Sequence, residues 1–274
     1  MIQEYSDEIT FNLISSKQNY VGDFHLHNFY ELFFLLEGEI DFCVQHTFYH
    51  LTPGSLMLIN DLEIHKAING TELPYKRIYI HIPPSFFQKY KEEDLNLAAC
   101  FTDRMIGEKN LILLTENEQM YFTGQFQSMA HAMQKKQAGY HLLVDTYLIQ
   151  LLFFVNNLFC SSVSAQTLQS EPIVKEIMEY IRTHLQEEIS LTSLSDALSL
   201  SKYHLCHIFK EQTGTTIYNH VLLVRIAKAK ELLQNGKNVT EACELSGFTN
   251  YNHFITTFKK LTGFTPKKYA SLFR

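Results

Sequence analysis

The feature that most limits the fold of this chain is a helical pattern that occurs twice near its C-terminal end. The stretch "SKYHLCHIFKEQTG" begins at Ser201, and "NYNHFITTFKKLTG" begins at Asn250, 49 residues later. Both copies have an apolar residue at the fifth position, Phe-Lys at the ninth and tenth positions, and Thr-Gly at the end. A repeat of this kind indicates that one supersecondary unit is used twice.

Each copy has the sequence signals of a helix with one buried face. Ser201 and Asn250 are residue types that cap a helix N-terminus, and Gly214 and Gly263 suit the position just beyond its end. At helical spacing one face of each copy is largely apolar: Leu205, Ile208 and Phe209 in the first, and Phe254, Thr257 and Phe258 in the second.

A shorter helical pattern and a tight turn precede each copy. In "SLTSLSDALSLS" we expect Ser190 to be the N-cap, and in "VTEACELSGFTN" we expect Thr240 to be the N-cap and Gly247 to lie in the turn. Two helices joined by a tight turn form a helix-turn-helix unit, so the sequence predicts two such units.

Charge is divided unevenly along the chain. The net charge is -6, but residues 1–170 hold 10 Lys and Arg against 19 Asp and Glu, whereas residues 171–274 hold 13 against 10. From residue 200 onward the numbers are 11 against 4, a net charge of +7. Such cationic density follows a phosphate backbone, so the C-terminal part is predicted to bind nucleic acid.

At these residues the chain resembles the AraC/XylS family of bacterial transcription regulators, whose DNA-binding domain is a pair of helix-turn-helix units joined by one long helix. The resemblance covers residues 172–274 and is carried by Arg225, Ala229, Leu232, Leu233, "SGF" at 246–248, Phe254, Phe258, Lys259, Gly263, Pro266 and Tyr269. Ala242-Cys243 replaces the family's usual Ile-Ala, and Ser195 and Ser199 replace its alanine and turn glycine. The connecting helix would hold the recognition helices about one DNA turn apart, roughly 34 Å.

The resemblance also implies which side chains meet DNA. In the first recognition helix the candidates are Lys202, Tyr203, Cys206, His207 and Lys210, with Tyr203, Cys206 and His207 at the bases. In the second they are Tyr251, Asn252, Ile255 and Thr256, with Lys259 and Lys260 nearer the phosphates. Neither helix has an arginine, the side chain best shaped to read guanine, so we expect Asn252 and His207 to be the main base readers.

The N-terminal part predicts short strands followed by helices. Between Ile9 and Ile82, "ITFNLI", "ELFFLLEG", "EIDFCVQ", "SLMLIN" and "RIYIHI" are β-branched or aromatic runs of the kind found in a barrel or sandwich. From Glu116 to Phe159 two helical patterns meet at Gly139. The predicted fold class is α+β: a β-barrel at 1–110, which by the family resemblance is cupin-like, a helical dimerisation segment at 111–160, a linker at 161–170, and an all-α tandem helix-turn-helix domain at 171–274.

The stretch "FHLHNFYE" supplies polar groups to the predicted barrel. His25, His27, Glu31 and Gly38 have the spacing of the first cupin motif, and "LTPGSLMLINDLEIH", which ends at His65, resembles the second. Histidines at i and i+2 project from one strand face. The candidate effector-binding residues are His25, His27, Tyr30, Glu31, His65 and Tyr79, a polar set suited to orienting a sugar or another small polar metabolite.

Two other interpretations of this set stay open. Neutral imidazoles with a carboxylate suit Zn, Fe, Mn or Ni, so His25, His27, Glu31 and His65 form an alternative metal site, in a metal sensor or in a metal-dependent cupin enzyme fused to a DNA-binding domain. The same residues could instead be barrel framework. We expect no resident metal, no cofactor and no catalytic residue, because the resemblance describes regulators that keep this motif without an ordered metal.

The apolar stretch "YHLLVDTYLIQLLFFVNNLF" needs a partner surface, either the barrel or the same helix of a second copy. We expect a homodimer, because two copies bind two DNA half-sites together. The five scattered cysteines lack a CxxC, the start "MIQEYSDEIT" is unlike a signal peptide, and no apolar run reaches the roughly 18 residues of a membrane span. A cytoplasmic protein without a membrane partner is predicted.

The sequence therefore predicts a ligand-responsive, sequence-specific DNA-binding transcription regulator of a metabolic operon that is not an enzyme. Its predicted partners are double-stranded DNA, a small-molecule effector, a second copy of the chain and RNA polymerase. The family resemblance favours activation over repression.

Overall fold

The structure is a computed structural model that describes residues 8–16, 23–68, 74–92, 95–161 and 172–272. Strands and four helices form the N-terminal part. The described strands are β1 Thr10–Ser16, β2 Tyr30–Glu37, β3 Ile40–Val44, β4 Thr47–Leu51, β5 Ser55–Ile59, β6 His65–Ile68, β7 Tyr75–Ile82 and β8 Leu111–Leu113. The helices are α1 Pro84–Lys89, α2 Ala99–Thr102, α3 Glu116–Lys135 and α4 Tyr140–Ser161.

The strands form two antiparallel sheets, one in the order β1-β7-β2-β5-β8 and the other in the order β4-β3-β6. Because side chains alternate along a strand, Phe33 and Leu35 of β2 enter the core between the sheets, whereas Leu32 and Phe34 face the helices. Burial on both faces explains the nearly continuous apolar run of β2. The predicted β-rich N-terminal part, followed by helices, is confirmed.

Helices α3 and α4 cover the outer face of the larger sheet. A capping box between Thr115 and Glu118 begins α3, and the two helices meet near Gly139, whose φ is +81°. Leu148 and Leu152 of α4 are buried in the same core as Phe122 of α3. The apolar helix α4 therefore finds part of its partner surface within its own chain.

By length and composition α4 would suffice to cross a membrane, contrary to the expectation that no stretch is long enough. Within its most apolar window, 33% of the residues are buried inside the protein. Length and composition do not distinguish a membrane span from a core helix, and the burial of Val144, Leu148 and Val155 favours the core helix.

The described C-terminal part is all helical, as predicted. Its helices are α5 Pro172–Thr183, α6 Leu191–Leu198, α7 Lys202–Thr213, α8 Ile217–Gln234, α9 Val239–Leu245, α10 Tyr251–Thr262 and α11 Pro266–Ser271. The pairs α6–α7 and α9–α10 are the two helix-turn-helix units, and α8 connects them. Ser190, Ser201 and Asn250 cap α6, α7 and α10, and Gly214 and Gly263 end α7 and α10 in the left-handed conformation.

The predicted N-cap Thr240 is wrong. Asn238 is the N-cap of α9, and its side-chain oxygen accepts a hydrogen bond from the backbone N–H of Glu241 at 3.0 Å. The Glu241 carboxylate accepts from the backbone N–H of Asn238 at 2.9 Å. This reciprocal pair satisfies two backbone donors at once, so it is favoured over a single hydroxyl cap at Thr240.

The two parts pack against each other through a shared apolar core. Phe24, Leu26 and Ile64 of the N-terminal part are buried in the same cluster as Phe209 and Val221 of the helical part. The predicted linker at 161–170 lies outside the described residues except for Ser161, which ends α4. The domain boundaries therefore stay predictions.

Gly247 lies in the turn before α10, where there is no room for a side chain. Its φ is +86°, and a Cβ added there would lie 2.0 Å from the carbonyl oxygen of Leu185. We expect Gly247→Ala to lower the free energy of unfolding by more than about 3 kcal/mol, because backbone strain and overlap with rigid backbone act together. Urea unfolding measures this loss.

Gly236→Ala is the matched control for this substitution. Gly236 has a φ of +81°, but nothing lies within 4 Å of its added Cβ. It should lose only about 1 kcal/mol, from its backbone conformation alone. Equal losses in the two variants would contradict the steric account of Gly247.

His220 of α8 is buried where the two parts meet. Its ring centroid lies 5.4 Å from that of Phe24 and 5.5 Å from that of Phe209. Burial lowers the pKa of His220 from 6.5 to about 4. Between these values the unfolded chain takes up a proton that the folded protein does not, so the free energy of unfolding falls as pH falls through this range. We expect His220→Leu to abolish about 2 kcal/mol of the loss between pH 7 and pH 5. Urea unfolding at pH 7 and pH 5 measures this loss. A variant that lost as much free energy of unfolding between the two pH values as the wild type would contradict the expectation.

Candidate functional sites

A cluster of histidines surrounds one carboxylate in the N-terminal part of the chain, which contains the two β-sheets. Glu31 of β2 accepts a hydrogen bond from Nε2 of His27 at 2.9 Å, and Nε2 of His65 and Nε2 of His81 each lie 3.6 Å from a Glu31 oxygen. The strand register places Glu31 directly opposite His81 of β7. Two backbone hydrogen bonds, at 3.1 and 3.0 Å, hold His25 beside His65 at the start of β6. The fold thus gathers polar residues from three separate stretches of sequence.

Hydrogen bonds define the tautomers of two rings. Nδ1 of His65 donates to the carbonyl of Glu63 at 2.9 Å, and its buried Nε2 has no hydrogen-bond partner. His27 donates through Nε2, which leaves its buried Nδ1 as an acceptor without a partner. Each of His27, Glu31 and His65 offers one ligand atom, and these atoms lie within 4.8 Å of one another. The cluster therefore favours a cation or a ligand rich in hydrogen-bond donors.

Burial and mutual contact determine the charges in the cluster. Burial lowers the pKa of His27 well below its usual value, and the hydrogen bond to Glu31 offsets only part of that shift. Burial alone would raise the pKa of Glu31, but the imidazoles of His27, His65 and His81 outweigh it and hold the pKa well below its usual range. At neutral pH an ionised carboxylate therefore lies against a neutral His27 ring.

The structure does not place all predicted effector-binding residues in this cluster. Tyr30 lies outside the cluster, because neighbouring residues on a strand face opposite sides and Glu31 occupies the cluster side. The Tyr30 ring instead packs 4.9 Å from Phe87 and 5.1 Å from Phe101, on the helix side of the sheet. Tyr30 and Glu31 are consecutive in β2, so their side chains point to opposite faces of the sheet and cannot both line the cluster.

The remaining predicted residues lie in or beside the cluster. His25 is exposed at the rim, with its ring centroid 4.3 Å from that of His65. The ring centroid of Tyr79 lies 4.5 Å from that of His81, on the same face of β7. Sequence reasoning missed His81, which the two-residue period from Tyr79 could have found. It also missed Phe29, whose ring stacks on His27 at 3.8 Å and on His81 at 3.9 Å, and no sequence signal marked it.

Helices α7 and α10 expose the residues predicted to meet DNA. Tyr203 is 81% exposed and Tyr251 is 47% exposed, whereas Ile255 is half-buried against the domain core. The exposed candidates are Lys202, Tyr203, Cys206, His207 and Lys210 on α7, and Tyr251, Asn252, Thr256, Lys259 and Lys260 on α10. Ile255 therefore offers only part of its side chain to a partner.

Arg225 of α8 fixes the scaffold behind the second unit. Its guanidinium donates to the carbonyls of Leu185 at 3.4 Å and Glu187 at 2.9 Å, and it lies 5.9 Å from the ring centroid of Phe248. The arginine thus joins the α5–α6 connection to the turn between α9 and α10. Its role is positional, since Nε and Nη2 donate to carbonyls within the domain.

Comparisons with known proteins describe both parts of the chain. A family model described as an AraC-like ligand binding domain matches residues 13–152, and one described as a helix-turn-helix domain matches residues 194–271. The chain is 27% identical over 233 residues to the uncharacterized HTH-type transcriptional regulator YbfI of Bacillus subtilis, which covers 84% of this chain and 80% of YbfI.

Two further similarities differ in the share of each protein that they cover. An uncharacterized HTH-type transcriptional regulator of Staphylococcus aureus is 24% identical over 262 residues, covering 94% of this chain, which spans 33% of that longer protein. Among solved structures, ToxT of Vibrio cholerae with a bound unsaturated fatty acid has a TM-score of 0.40 at 15% identity, over 98% of this chain and 96% of that one.

Proposed function

We propose, from the premise that this chain belongs to the AraC family of helix-turn-helix transcription regulators, that it is a ligand-responsive activator of a metabolic operon. The observation that carries the proposal is that α7 and α10 expose equivalent positions of one internal repeat in two units connected by α8. The protein acts in the cytoplasm and is not an enzyme. Activation through contact with RNA polymerase is proposed by analogy with the family.

The two recognition helices read adjacent major grooves of double-stranded DNA. The connecting helix α8 has 18 residues, about 27 Å at 1.5 Å per residue. That length is comparable to the roughly 34 Å between successive major grooves on one face of DNA. Two helices held at this spacing read a longer site than one helix alone, so sequence specificity rises.

The exposed side chains have two roles: readers contact base edges, and anchors bind phosphates. Asn252 of α10 has the amide pair that matches adenine, and His207 of α7 offers ring nitrogens to base edges. Lys259 and Lys260 lie in the last turn of α10 and bind phosphates. The anchors supply affinity for any sequence, and the readers supply the choice among sequences.

The effector is a sugar or another small polar metabolite, bound beside the cluster of His27, Glu31, His65 and His81 with His25 and Tyr79 at its edge. An ionised Glu31 accepts hydroxyl donors, the unpaired Nδ1 of His27 is a further acceptor, and Nε2 of His65 is a further polar atom without a hydrogen-bond partner. Few polar groups in a mostly apolar cavity are the usual means of orienting such a ligand.

A second copy of the chain binds through α3 and α4. These helices expose large apolar side chains: Met120 and Tyr121 on α3, and Leu142, Leu143 and Phe153 on α4. Apolar side chains grouped in this way typically mark an interface. A homodimer presents four recognition helices to two half-sites, which raises affinity through effective concentration.

A second candidate function, a metal sensor, is favoured by one specific observation. The buried Nε2 of His65 has no hydrogen-bond partner and lies 3.6 Å from an oxygen of Glu31, and a nitrogen and a carboxylate oxygen this close are both atoms that bind a metal ion. Zn, Fe, Mn or Ni bound by His27, Glu31 and His65 would satisfy all three ligands. The ion would then be the sensed species, and the DNA-binding role would be unchanged.

Substitutions on α10 test the division between readers and anchors. We expect Lys259→Ala to weaken binding to all duplexes and to lower the slope of log affinity against log salt by about 1, because one phosphate contact is lost. Asn252→Ala should change the preferred sequence by about 1–3 kcal/mol at one base pair. Binding of a random-sequence duplex pool at several salt concentrations, followed by sequencing, measures both effects.

Lys175→Ala on the exposed face of α5 is the charge-matched control for Lys259→Ala. It removes one positive charge outside the recognition helices, so the salt slope should stay at the wild-type value. If Asn252→Ala lost the same affinity for every DNA sequence, Asn252 would not be a base-reading residue.

Metal analysis separates the two candidate effectors. If an ion is sensed, the purified protein incubated with Zn²⁺ and desalted should keep one ion per chain, and Glu31→Gln should keep none, because it removes the anionic ligand. His50→Gln is the control, since His50 is an exposed histidine bonded to Asp41 at 2.8 Å. Retention of ion by Glu31→Gln would contradict the metal site. A thermal shift with polar metabolites but no bound ion would favour the metabolite.

A further inference from the structure

Arg77 of β7 carries a positive charge beside the core between the two sheets. Side chains alternate along a strand, so Arg77 is on the same face of β7 as Tyr79 and His81. Its guanidinium carbon lies 5.1 Å from the ring centroid of Phe33, which is buried between the sheets. Nη1 donates to the Tyr75 hydroxyl at 3.1 Å, but the buried Nε has no hydrogen-bond partner. Within the described part of the chain, no carboxylate forms an ion pair with Arg77.

The surroundings of Arg77 leave part of its guanidinium unsatisfied. Arginine presents five N–H donors, and charged groups taken out of water are normally paired. The rings of Phe33 and Tyr75 have their centroids 5.1 and 5.6 Å away and attract a cation through their faces. A ring face does not replace the acceptor that a buried N–H requires, so an anion bound here would be stabilised.

Glu31 is not that anion, because histidines already occupy it. Its oxygens lie 2.9 Å from Nε2 of His27 and 3.6 Å from Nε2 of both His65 and His81. Glu31 also precedes Phe33 by two residues on β2, a step of about 7 Å along the strand. One face of the sheet therefore has an ionised carboxylate at one end and a guanidinium without a described counter-ion at the other.

These two ends select a ligand with two kinds of polar group. Hydroxyl groups donate to Glu31, whereas a ligand carboxylate would be repelled there and attracted to Arg77. The planar guanidinium binds a carboxylate through two parallel hydrogen bonds. Between the ends, Phe33 and Tyr79 are paired directly across β2 and β7 and offer aromatic surface. A small carboxylate with several hydroxyl groups matches this arrangement.

We propose that Arg77 is the anion-binding residue of the effector site and that the effector is a hydroxylated carboxylate of the sugar-acid class. The ligand carboxylate pairs with the guanidinium, and its hydroxyl groups bind Glu31 and the histidines around it. Tyr75 is a positioning residue, because its hydroxyl accepts from Nη1 and holds the guanidinium in place. The role of Arg77 rests on the proposed effector-binding role of the cluster and narrows the chemical class of the ligand.

Paired ligands test the anion-binding role of Arg77. Glucuronate, galacturonate and gluconate are compared with glucose, galactose and glucitol, which lack the carboxylate, at one ionic strength. We expect at least one acid to raise the unfolding temperature of the wild-type protein and to bind, by calorimetry, about tenfold or more tightly than its neutral counterpart. Arg77→Met should weaken binding of that acid by a factor of about 10–100 and leave binding of the neutral counterpart unchanged, because only the charged pair is lost.

Lys76→Met is the charge-matched control for Arg77→Met. Lys76 is the preceding residue of β7, so its side chain faces the other side of the sheet, where Nζ donates to Glu37 at 2.9 Å. This variant should bind the acid as the wild type does. If thermal unfolding shows that Arg77→Met does not fold, Arg77→Gln keeps an amide donor near Tyr75 and should lose the acid to the same extent.

Four results would overturn the role of Arg77. They are unchanged acid binding by a folded Arg77 variant, an equal loss in Lys76→Met, a parallel loss of acids and neutral ligands, and no acid binding by the wild type. Neutral ligands that bind without the acids, and fail to bind Glu31→Gln, would leave the proposed metabolite-sensing role intact and remove only the anionic class. Duplex binding by the same wild-type preparation tests the proposed regulator function separately.

Discussion

The ammonium group of Lys230 is fully buried between the N-terminal β-sheets and the helical domain, where it donates to the carbonyls of His27 and Asp61, and the rest of the structure depends on how it is accommodated. Burial lowers its pKa to about 8 from 10.5, and Asp61 opposes that shift. An isolated charge in such a place would cost several kcal/mol, so the surrounding carbonyls and the Asp61 carboxylate must stay in position. Because those groups belong to the N-terminal part and Lys230 to α8, the sensor and the DNA-binding domain form one connected unit in this arrangement.

Local sequence was sufficient to predict the helical domain. The positions that cap helices at Ser190, Ser201 and Asn250, and the terminal glycines, depend only on neighbours within one turn, and the structure has them all. The failure at α9 has the same origin, since Asn238 and Glu241 form a reciprocal pair that a single favourable residue at Thr240 does not reveal. The fold class and the existence of the main strands follow equally from local pattern.

The candidate sites depend on contacts that local pattern does not contain. His81 joins the cluster through strand pairing with Glu31, and the two-residue period that reveals it also excludes Tyr30. The hydrogen bonds between the two parts of the chain are less accessible still, because those of Lys66 with Thr213, Asn28 with Thr262 and Lys230 with His27 join residues 147, 234 and 203 positions apart in sequence. Nothing in the composition of either segment marks Lys66 or Asn28 as a partner of a distant helix end, so only the tertiary structure identifies them.

The cluster around Glu31 is connected to the ends of both recognition helices by two routes. Asn28, next to His27, binds the carbonyl of Thr262 at the end of α10, and Lys66, next to His65, binds the carbonyl of Thr213 at the end of α7. Hydrogen exchange, compared between wild type and Glu31→Gln, tests this connection most directly. We expect faster exchange at residues 210–214 and 259–263, which do not touch Glu31, with no change in α9. Exchange that changes only around residues 25–31 and 65 would contradict it, because the cluster would then be isolated from the DNA-binding domain.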